Sequence, residues 1–408
     1  MASGSKTSSI SPVGIAKKAV LFKMLYPAVE RYVSQNSIRR NELLETCHNN
    51  NSIWYGEPEQ PLEISRPREE EIKDFFEDYS YKYKPQRPFV CELEKCKLLG
   101  PHGIAMGEDG RLILETLDHG IQEFVRLPRY NRTRNTFIKH TLDNESSGQE
   151  PIVDDRIVPM ICSENNYYHW VTEYLPKLRH IEDYQLKTNR EVTLLLEPNH
   201  GSFVRESLTV AGFGSDKCIS MDDLFSNRVA HLVVPIHRSH FFNHLSPIRS
   251  YYSPSLDDIQ WVRERIWAGT EVGTPENDVR IFVSRQGASE RKILNYNEFF
   301  EVLQGRGFES YKLEHFSFQE QVELFSRAEV IMGPIGAGLV NMIFSNDPLV
   351  IELLPRKKLE SNAGIVPHFY FLSDMLDFEY EPILIEDEGD DLVVDIDEFR
   401  IRLDEIGL

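Results

Sequence analysis

The stretch that decides the fold is Ala328-Glu-Val-Ile-Met-Gly-Pro-Ile-Gly-Ala-Gly-Leu-Val-Asn341, and a second apolar run, Leu349-Val-Ile-Glu-Leu-Leu354, follows it closely. The order is a short apolar run, three glycines within six residues, an apolar segment of helical length and another apolar run ending near an acid. This order predicts a compact unit of strand, turn, helix and strand, the building block of an α/β fold.

The turn of this unit has the composition of an anion-binding site. It contains Gly333, Gly336, Ala337 and Gly338. Glycines let a backbone approach an anion closely, and a helix starting near Leu339 would direct N–H groups and a partial positive charge at it. Glu352, near the end of the second strand, would then face the ribose hydroxyls of a nucleotide lying across the turn. The Gly-x-x-Gly-x-Gly spacing differs from the dinucleotide fingerprint, so an alternative stays open in which the glycines only permit tight helix-on-strand packing.

Three arginines accompany the apolar strand predicted upstream of this unit. Arg280 and Arg285 bracket the strand, and Arg291 lies in the loop after it. The forked donors of arginine suit phosphate oxygens, so the three side chains predict a site for a diphosphate without a metal ion. The alternative, surface ion pairs, fits Arg291 better than Arg285.

The segment from Arg280 to Pro355 resembles the C-terminal half of the family-61 glycosyltransferases. The resemblance is carried by Ser284-Arg285, Arg291, Phe318-x-x-Gln321, Gly333-x-x-Gly-Ala-Gly338, Asn341 and Val350-Ile-Glu-Leu-Leu-Pro355. The first half adds Asn166-Tyr-Tyr-His-Trp-Val-Thr-Glu-Tyr-Leu-Pro176, similar to the family's His-x-x-x-acid segment ending in Leu-Pro. One departure stands out, because family members commonly carry His where this chain has Ile335.

The resemblance implies an inverting transferase with two Rossmann-like domains facing a cleft, the GT-B arrangement. Such an enzyme moves a sugar from a nucleotide-sugar donor to a hydroxyl of a glycan or lipid-linked glycan, and it needs a base together with positive charge for the departing diphosphate. His169 and Glu173 are four residues apart and would share one helix face, so we expect them to be the catalytic pair. Trp170 would offer a surface for a sugar ring to stack on. The alternative is that His169 caps the helix or pairs with Glu173, and that Trp170 belongs to the core.

The sequence predicts no metal and no cofactor. Metal-dependent transferases of the other common fold hold the diphosphate through a cation on Asp-x-Asp, and the one such motif here, Asp395-Ile-Asp397, predicts instead the cap of a terminal helix from Ile396 to Ile406. The pair Cys91 and Cys96 lacks the spacing of zinc ligands.

Length and composition favour two domains of ordinary size. The chain has 408 residues, of which 41% are hydrophobic, and five cysteines without a pattern, which favours a reducing compartment. Its formal net charge of -20 makes nucleic acid an unsuitable partner.

The first residues differ from the rest in charge. Residues 1–40 hold seven basic side chains and one acid, a net +6, which leaves -26 for the remainder of the -20 total. The segment from Val13 to Val29 alternates apolar and basic residues but is too broken to span a bilayer. We expect a cytoplasmic protein, with residues 1–34 either contacting the inner membrane face as a basic amphipathic helix or packing on the body of the protein.

The chain is expected to divide into four parts. These are residues 1–88, a basic segment with a loose linker or peripheral helices; 89–255, a β-rich preface with a hairpin at Glu108-Asp-Gly110 and the acceptor-side Rossmann-like domain; 275–385, the donor-nucleotide domain; and 386–408, an acidic loop and the terminal helix. Within the second part, His237 and Arg238 follow a strand and begin a basic loop reaching His244, which would face the cleft and the acceptor.

Two functional classes stay open at this stage. The first is the glycosyltransferase, and the second is a catalytically silent member of the same fold that keeps a nucleotide-sugar site, which Ile335 makes conceivable. An NAD-dependent oxidoreductase is disfavoured, because its Gly-rich turn belongs early in the first Rossmann unit and the turn here lies late.

Overall fold

The computed structural model describes residues 25–63, 82–117, 121–143, 152–162, 165–224, 227–237, 255–270, 272, 277–357 and 367–408. Two sheets with parallel strands, both flanked by helices, organise these residues. The predicted α/β class is therefore confirmed.

The first sheet has nine strands and is mixed. Its strands are β1 Ser37–Ile38, β2 Ile53–Tyr55, β5 Phe89–Leu99, β6 Ile104–Met106, β7 Leu112–Ile113, β8 Val153–Pro159, β9 Thr193–Leu196, β10 Cys218–Ser220 and β11 Arg228–Pro235. They lie in the order β1-β7-β6-β5-β11-β8-β9-β10, with β2 also paired to β5. The run from β11 to β10 is parallel, so the carboxyl ends of β8, β9 and β11 meet at one edge.

Two sequence predictions in this half are tested by the sheet. The hairpin at Glu108-Asp-Gly110 is confirmed as the turn between the antiparallel strands β6 and β7. The loose linker predicted before Phe89 is wrong for Ile53–Tyr55, because β2 pairs with β5. A separate ribbon joins β3 Leu62–Glu63 to β4 Lys82–Tyr83.

The second sheet has six strands in the order β13-β12-β14-β15-β16-β17. They are β12 Val279–Val283, β13 Phe308–Tyr311, β14 Ala328–Pro334, β15 Leu349–Pro355, β16 Glu379–Glu388 and β17 Asp391–Val393. All pairs are parallel except β16 with β17. The acidic run 386–391, predicted as a solvated loop, is therefore the end of one hairpin strand, a turn and the start of the next.

Helices connect and cover the strands. Residues 25–35 are helical, and the further α-helices are α1 Arg40–Asn49, α2 Ile121–Arg126, α3 Asn131–Asp143, α4 Tyr167–His169, α5 Lys177–Thr188, α6 Ser202–Val210, α7 Leu256–Thr270, α8 Tyr296–Gln304, α9 Phe318–Ser326, α10 His368–Leu376 and α11 Ile396–Glu405. The predicted cap of the terminal helix is confirmed, because the Asp395 carboxylate accepts hydrogen bonds from the Asp397 and Glu398 amides.

One apolar core joins the two sheets. Alternate strand residues point to opposite faces, and the residues that one face of each sheet contributes, such as Val158 and Leu194 from the first and Ile281 and Ile331 from the second, belong to a single buried cluster. The other faces carry cores of their own. This shared core holds the two sheets, and the motifs at their ends, in fixed positions.

Of the basic segment predicted over residues 1–34, residues 1–24 lie outside the described residues. The helix of residues 25–35 packs on the body of the protein through Val33 and the neighbouring side chains Val29 and Tyr32, which is the alternative interpretation for this part. Within the described ranges, no helix is both long enough and apolar enough to cross a membrane.

Candidate functional site

The His-x-x-x-acid segment folds as an irregular helix. Asn166 caps it by accepting a hydrogen bond from the Tyr168 amide, and α4 passes directly into a π-helical turn, Trp170–Tyr174, before α5 begins at Lys177. The π-turn is closed by the Leu175 amide donating to the Trp170 carbonyl at 2.9 Å. Single π-turns of this kind occur frequently at functional sites.

His169 and Glu173 form a pair on this helix. His169 Nδ1 lies 2.7 Å from Glu173 Oε1, and the two side chains remain 30% and 13% exposed. A carboxylate at one ring nitrogen fixes the orientation of the imidazole and stabilises its protonated form, which is how a histidine is prepared for general-base work. The predicted shared helix face is confirmed, and the pairing named in the alternative interpretation is present; the catalytic role of the two residues stays a prediction.

A second histidine stands beside this pair. His368, at the start of α10, lies with its Nδ1 3.2 Å from the Tyr168 hydroxyl, and the two rings are 4.7 Å apart. Burial, assisted by the nearby His169, lowers the pKa of His368 to about 3. His368 is therefore neutral at physiological pH.

Trp170 does not offer a stacking surface, and that prediction is wrong. Its side chain is fully buried, the indole N–H donates to Ser207 Oγ at 2.8 Å, and the ring stacks on Tyr174 at 5.7 Å. Neighbouring residues of a helix project in different directions, and Trp170 projects into the shared core while His169 does not. This is the alternative interpretation of Trp170.

The glycine turn places a guanidinium against the backbone. After β14 the chain enters a 3-10 helix, Ala337–Phe344, which begins two residues before the predicted start. A Cβ atom on Gly336 would lie 2.3 Å from Arg285 Nη1, so only glycine leaves room for this arginine. The space occupied by the Arg285 side chain therefore explains the glycine at position 336. The backbone does not, because its φ of 174° is extended and any residue can adopt it.

Two arginines converge on this turn. Arg291 Nη1 donates to the Ile335 carbonyl at 2.9 Å, and Arg285 Nε donates to the Glu290 carbonyl at 3.2 Å. Arg291 adopts a left-handed backbone, φ 62°, and its backbone N–H donates a hydrogen bond to the Asp390 carbonyl at 2.7 Å. Such conformations persist where surrounding contacts enforce them and are frequent at ligand sites.

The positive charge at this turn is not fully neutralised by nearby carboxylates. Burial first, and Arg291 second, lower the pKa of the Arg285 guanidinium, which nevertheless stays protonated. Among the described residues Arg285 has no ion pair with a carboxylate, and the buried Arg291 Nε has no hydrogen-bond partner, although Arg291 Nη2 bonds Glu290 at 2.9 Å. Two half-buried cations with spare donors favour a bound anion.

The other two glycines serve packing. A Cβ on Gly333 would lie 3.0 Å from Val283 atoms, and one on Gly338 would lie 2.9 Å from Leu313 Cδ1. For these two positions the packing interpretation holds. The Ile335 side chain packs against the shared core, and its backbone binds Arg291 and Leu353.

Two residues predicted for the donor site do not lie at the carboxyl end of their strands. Glu352 is in the middle of β15, which continues to Pro355, and its buried carboxyl accepts a 2.6 Å hydrogen bond from the Tyr380 hydroxyl. Burial raises the pKa of Glu352 to about 7. Arg280 is at the start of β12, whereas the turn follows the carboxyl end of the neighbouring strand, and it pairs with Glu329 at 3.1 Å. The position predicted for Arg280 is therefore wrong. Glu352 lies opposite Gly333 in the register of β14 and β15, and the charge of Arg291 acts on its carboxyl, so its contact with a ribose stays a prediction.

A hydrogen-bond chain joins the two motifs, and sequence reasoning had assigned its members no role. The Tyr167 hydroxyl donates to Asn341 Oδ1 at 2.5 Å, and Asn341 Nδ2 donates to Gln321 Oε1 at 2.8 Å. Gln321 in turn donates to the Leu313 carbonyl. Tyr167, the first residue of the His169 helix, is therefore hydrogen-bonded directly to Asn341 in the 3-10 helix that follows the glycine turn.

His237 lies at the carboxyl end of β11, as predicted, but it is buried. Its amide donates to Glu115 Oε1 at 2.8 Å, its carbonyl accepts from Arg40, and its ring meets the Tyr174 ring edge-on. Arg238, His240 and His244, the rest of the predicted basic loop, lie outside the described residues.

The described residues contain no cluster of three or more His, Cys, Asp or Glu side chains placed to hold a metal ion.

Residues 167–351 match the family model described as Glycosyltransferase 61. A comparison with curated proteins finds no match to the chain. The matched range begins at Tyr167 and ends in β15, so it contains the irregular helix, the arginines and the glycine turn.

Proposed function

Because residues 167–351 match the family model described as Glycosyltransferase 61, we propose that this chain is an inverting glycosyltransferase, which transfers a sugar from a nucleotide-sugar donor to a hydroxyl of a glycan or lipid-linked glycan. The observation that carries the proposal is the pair Arg285 and Arg291 at the glycine turn, with donors and charge that no described carboxylate fully satisfies. A diphosphate supplies the matching acceptors and negative charge.

In this proposal each motif has one task. Arg285 and Arg291 neutralise the charge that develops on the departing nucleoside diphosphate, with Gly336 holding open the space for Arg285. His169, oriented by Glu173, takes the proton of the acceptor hydroxyl on the opposite face of the sugar. The chain Tyr167–Asn341–Gln321 fixes the spacing between the two tasks.

The same arrangement supports the two-domain GT-B interpretation. The carboxyl ends of β8 and β11 lie near one motif and those of β12 and β14 near the other, which are the ends where open α/β sheets bind ligands. A cleft between these edges would hold the donor against the second sheet and the acceptor against the first.

We further propose that transfer needs no divalent cation, since the guanidinium groups already supply positive charge where the diphosphate leaves. In this mechanism, activity survives EDTA. Activity that vanishes with EDTA and returns with manganese or magnesium would refute it.

The proposal for the donor site is tested by binding. A panel of sugar nucleotides is screened by thermal stabilisation in EDTA, and the best ligand is titrated by calorimetry into wild type, Arg285→Gln and Arg280→Gln. Loss of one charged hydrogen bond costs roughly 1.5–3 kcal/mol, so the first variant should bind about tenfold more weakly or worse. Arg280→Gln is the matched control and should bind as wild type does, because Arg280 lies at the other end of β12. Equal affinity in all three proteins would overturn the assignment.

A second candidate function is a catalytically silent protein that binds a nucleotide sugar. The observation that favours it is Ile335, whose apolar side chain packs on the shared core at the position where family members commonly carry His. Binding of the donor in the screen without hydrolysis or transfer, under any acceptor tried, would favour this candidate.

For localisation we propose a cytoplasmic enzyme that residues 1–34 bring to the inner membrane face, where lipid-linked acceptors are accessible. The net +6 of residues 1–40 is the motive, since each basic side chain near an anionic surface contributes about 1 kcal/mol. The full chain should sediment with anionic vesicles at low salt, and a chain lacking residues 1–24, which keeps the packed helix of residues 25–35, should not. Equal sedimentation of the two would contradict the proposal.

A further inference from the structure

A polar pocket lies at the carboxyl edge of the first sheet, beside the His169 helix. It is formed where β8 and β11 end and where the π-turn passes into α5. Its polar lining comes from His102, Glu115, Thr116, Tyr174, Lys177 and His237. Of these only His237 was singled out from the sequence.

Two buried polar atoms in this lining point to a ligand. The Tyr174 hydroxyl belongs to a side chain that is 2% exposed, and it has no hydrogen-bond partner among the described residues. His102, 9% exposed, donates through Nε2 to the Arg129 carbonyl at 3.3 Å, while its Nδ1 lies 3.5 Å from Glu197 without a hydrogen bond among those residues. A buried polar atom without a partner is costly, so a group that fills the pocket and bonds to these atoms is favoured.

The charge of the lining decides which group fits. Glu115 is already matched, because both its oxygens accept from Arg40, at 2.7 and 2.9 Å, and Oε1 also accepts from the His237 amide. Lys177 is 5% exposed and lies 4.1 Å above the Tyr174 ring, so its ammonium is a buried positive charge at the wall. The Tyr174 hydroxyl and the Lys177 ammonium are both donors at this wall, and in a chain of net charge -20 this pair favours a small anionic group.

The pocket is adjacent to the proposed base. Tyr174 follows Glu173 directly, and Lys177 lies one helical turn beyond. Consecutive residues of a helix are about a quarter-turn apart, and a helix with its side chains is roughly 10–12 Å across. The side-chain ends of Glu173 and Tyr174 are therefore separated by on the order of 8 Å. One sugar ring can bridge the hydroxyl that His169 would deprotonate and a charged substituent held in the pocket.

We propose that this pocket binds the carboxylate or phosphate of an acidic acceptor sugar, with Tyr174 and Lys177 as the residues that determine acceptor specificity. The inference rests on the proposed glycosyltransferase function and gives the chemical class of the acceptor. Bond formation is unchanged, because the anionic substituent is held and does not react.

The test compares three sugars that share one ring. Glucuronate carries a carboxylate, glucose 6-phosphate carries a phosphate, and glucose carries neither. Each is titrated into the full chain, and into Tyr174→Phe, Lys177→Met and the control Tyr311→Phe, whose hydroxyl bonds Glu309 near the surface. Tyr174→Phe removes an oxygen without a described partner, so it should fold as wild type does.

We expect at least one charged sugar to bind about tenfold more tightly than glucose, and the preferred one distinguishes carboxylate from phosphate. Tyr174→Phe should lose about fivefold of that affinity, Lys177→Met should lose more, and the control should lose none. Equal binding of glucose and both charged sugars, or full affinity in both pocket variants, would overturn the proposal and leave the pocket to water. If charged sugars bind as expected while no sugar nucleotide binds or reacts, the glycosyltransferase proposal fails and the anion pocket stands.

Discussion

Replacing Gly336 by alanine tests how the glycine turn and Arg285 cooperate. The added Cβ atom would lie 2.3 Å from Arg285 Nη1 and 3.2 Å from its Cζ, far inside contact distance. The backbone tolerates alanine there, because φ is 174°. The guanidinium must therefore move, and since it ends a flexible side chain, the free energy of unfolding should change by only about 1 kcal/mol or less.

Donor binding should change much more than stability. If Arg285 makes one charged hydrogen bond to the diphosphate, displacing it costs roughly 1.5–3 kcal/mol, which is a loss of about 10- to 150-fold in affinity. Calorimetric titration with the preferred nucleoside diphosphate gives the affinity, and urea denaturation gives the stability. Gly305→Ala is the matched control, because its Cβ would meet only ordinary contacts at 3.5 Å and beyond, at the end of α8.

Two results would refute this reasoning. Unchanged affinity in Gly336→Ala would show that the position of Arg285 does not matter for the diphosphate. An equal loss in Gly305→Ala would show that the effect is a general response to an added methyl group.

Three further predictions concern the surrounding residues. Glu173→Gln should lower turnover by about 100-fold with donor affinity nearly unchanged, and His169→Gln should do the same; wild-type rates in both would place the base elsewhere. Glu352→Gln should reduce the pH dependence of the free energy of unfolding. The folded pKa of Glu352, about 7, lies above the usual 4.5, so the wild type loses up to roughly 3 kcal/mol of stability as pH rises from about 4.5 to 7. The same change of stability with pH in both proteins would contradict this. Trp170→Phe should cost about 1–3 kcal/mol of stability, because Ser207 loses its indole donor, yet leave the KM for the acceptor unchanged; a raised KM would restore Trp170 as a sugar contact.

The sequence predicted the parts of the fold that depend on local pattern. The unit of strand, turn, helix and strand around Gly336 is present because apolar periodicity and glycine spacing are local signals. The contact between His169 and Glu173 was predictable for the same reason, since four residues make about one helical turn.

The sequence predictions that were wrong concern residues whose surroundings are built by distant parts of the chain. Trp170 was assigned to the site because it is next to His169 in sequence, but its ring points into a core that several distant elements build. Arg280 was assigned to the site with the other two arginines, but it lies at the opposite end of β12 from the glycine turn. The π-turn and the neighbour His368 gave no sequence signal, since the first follows from packing and the second lies about 200 residues beyond Tyr168 in the chain. The bond between Tyr167 and Asn341 also joins distant residues, although both stand in the motifs that carry the family resemblance.

The central claim is that this chain transfers a sugar with inversion, and the anomer of the released sugar tests it most directly. Glycosyltransferases hydrolyse their donors slowly when water replaces the acceptor. Proton NMR can follow the first minutes of that hydrolysis, before the sugar mutarotates, with the preferred sugar nucleotide in EDTA. We predict that the first anomer formed is opposite to that of the donor, and that Glu173→Gln slows its formation by about 100-fold while still binding the donor. Release of the retained anomer, or hydrolysis that is equally fast in Glu173→Gln, would contradict the account.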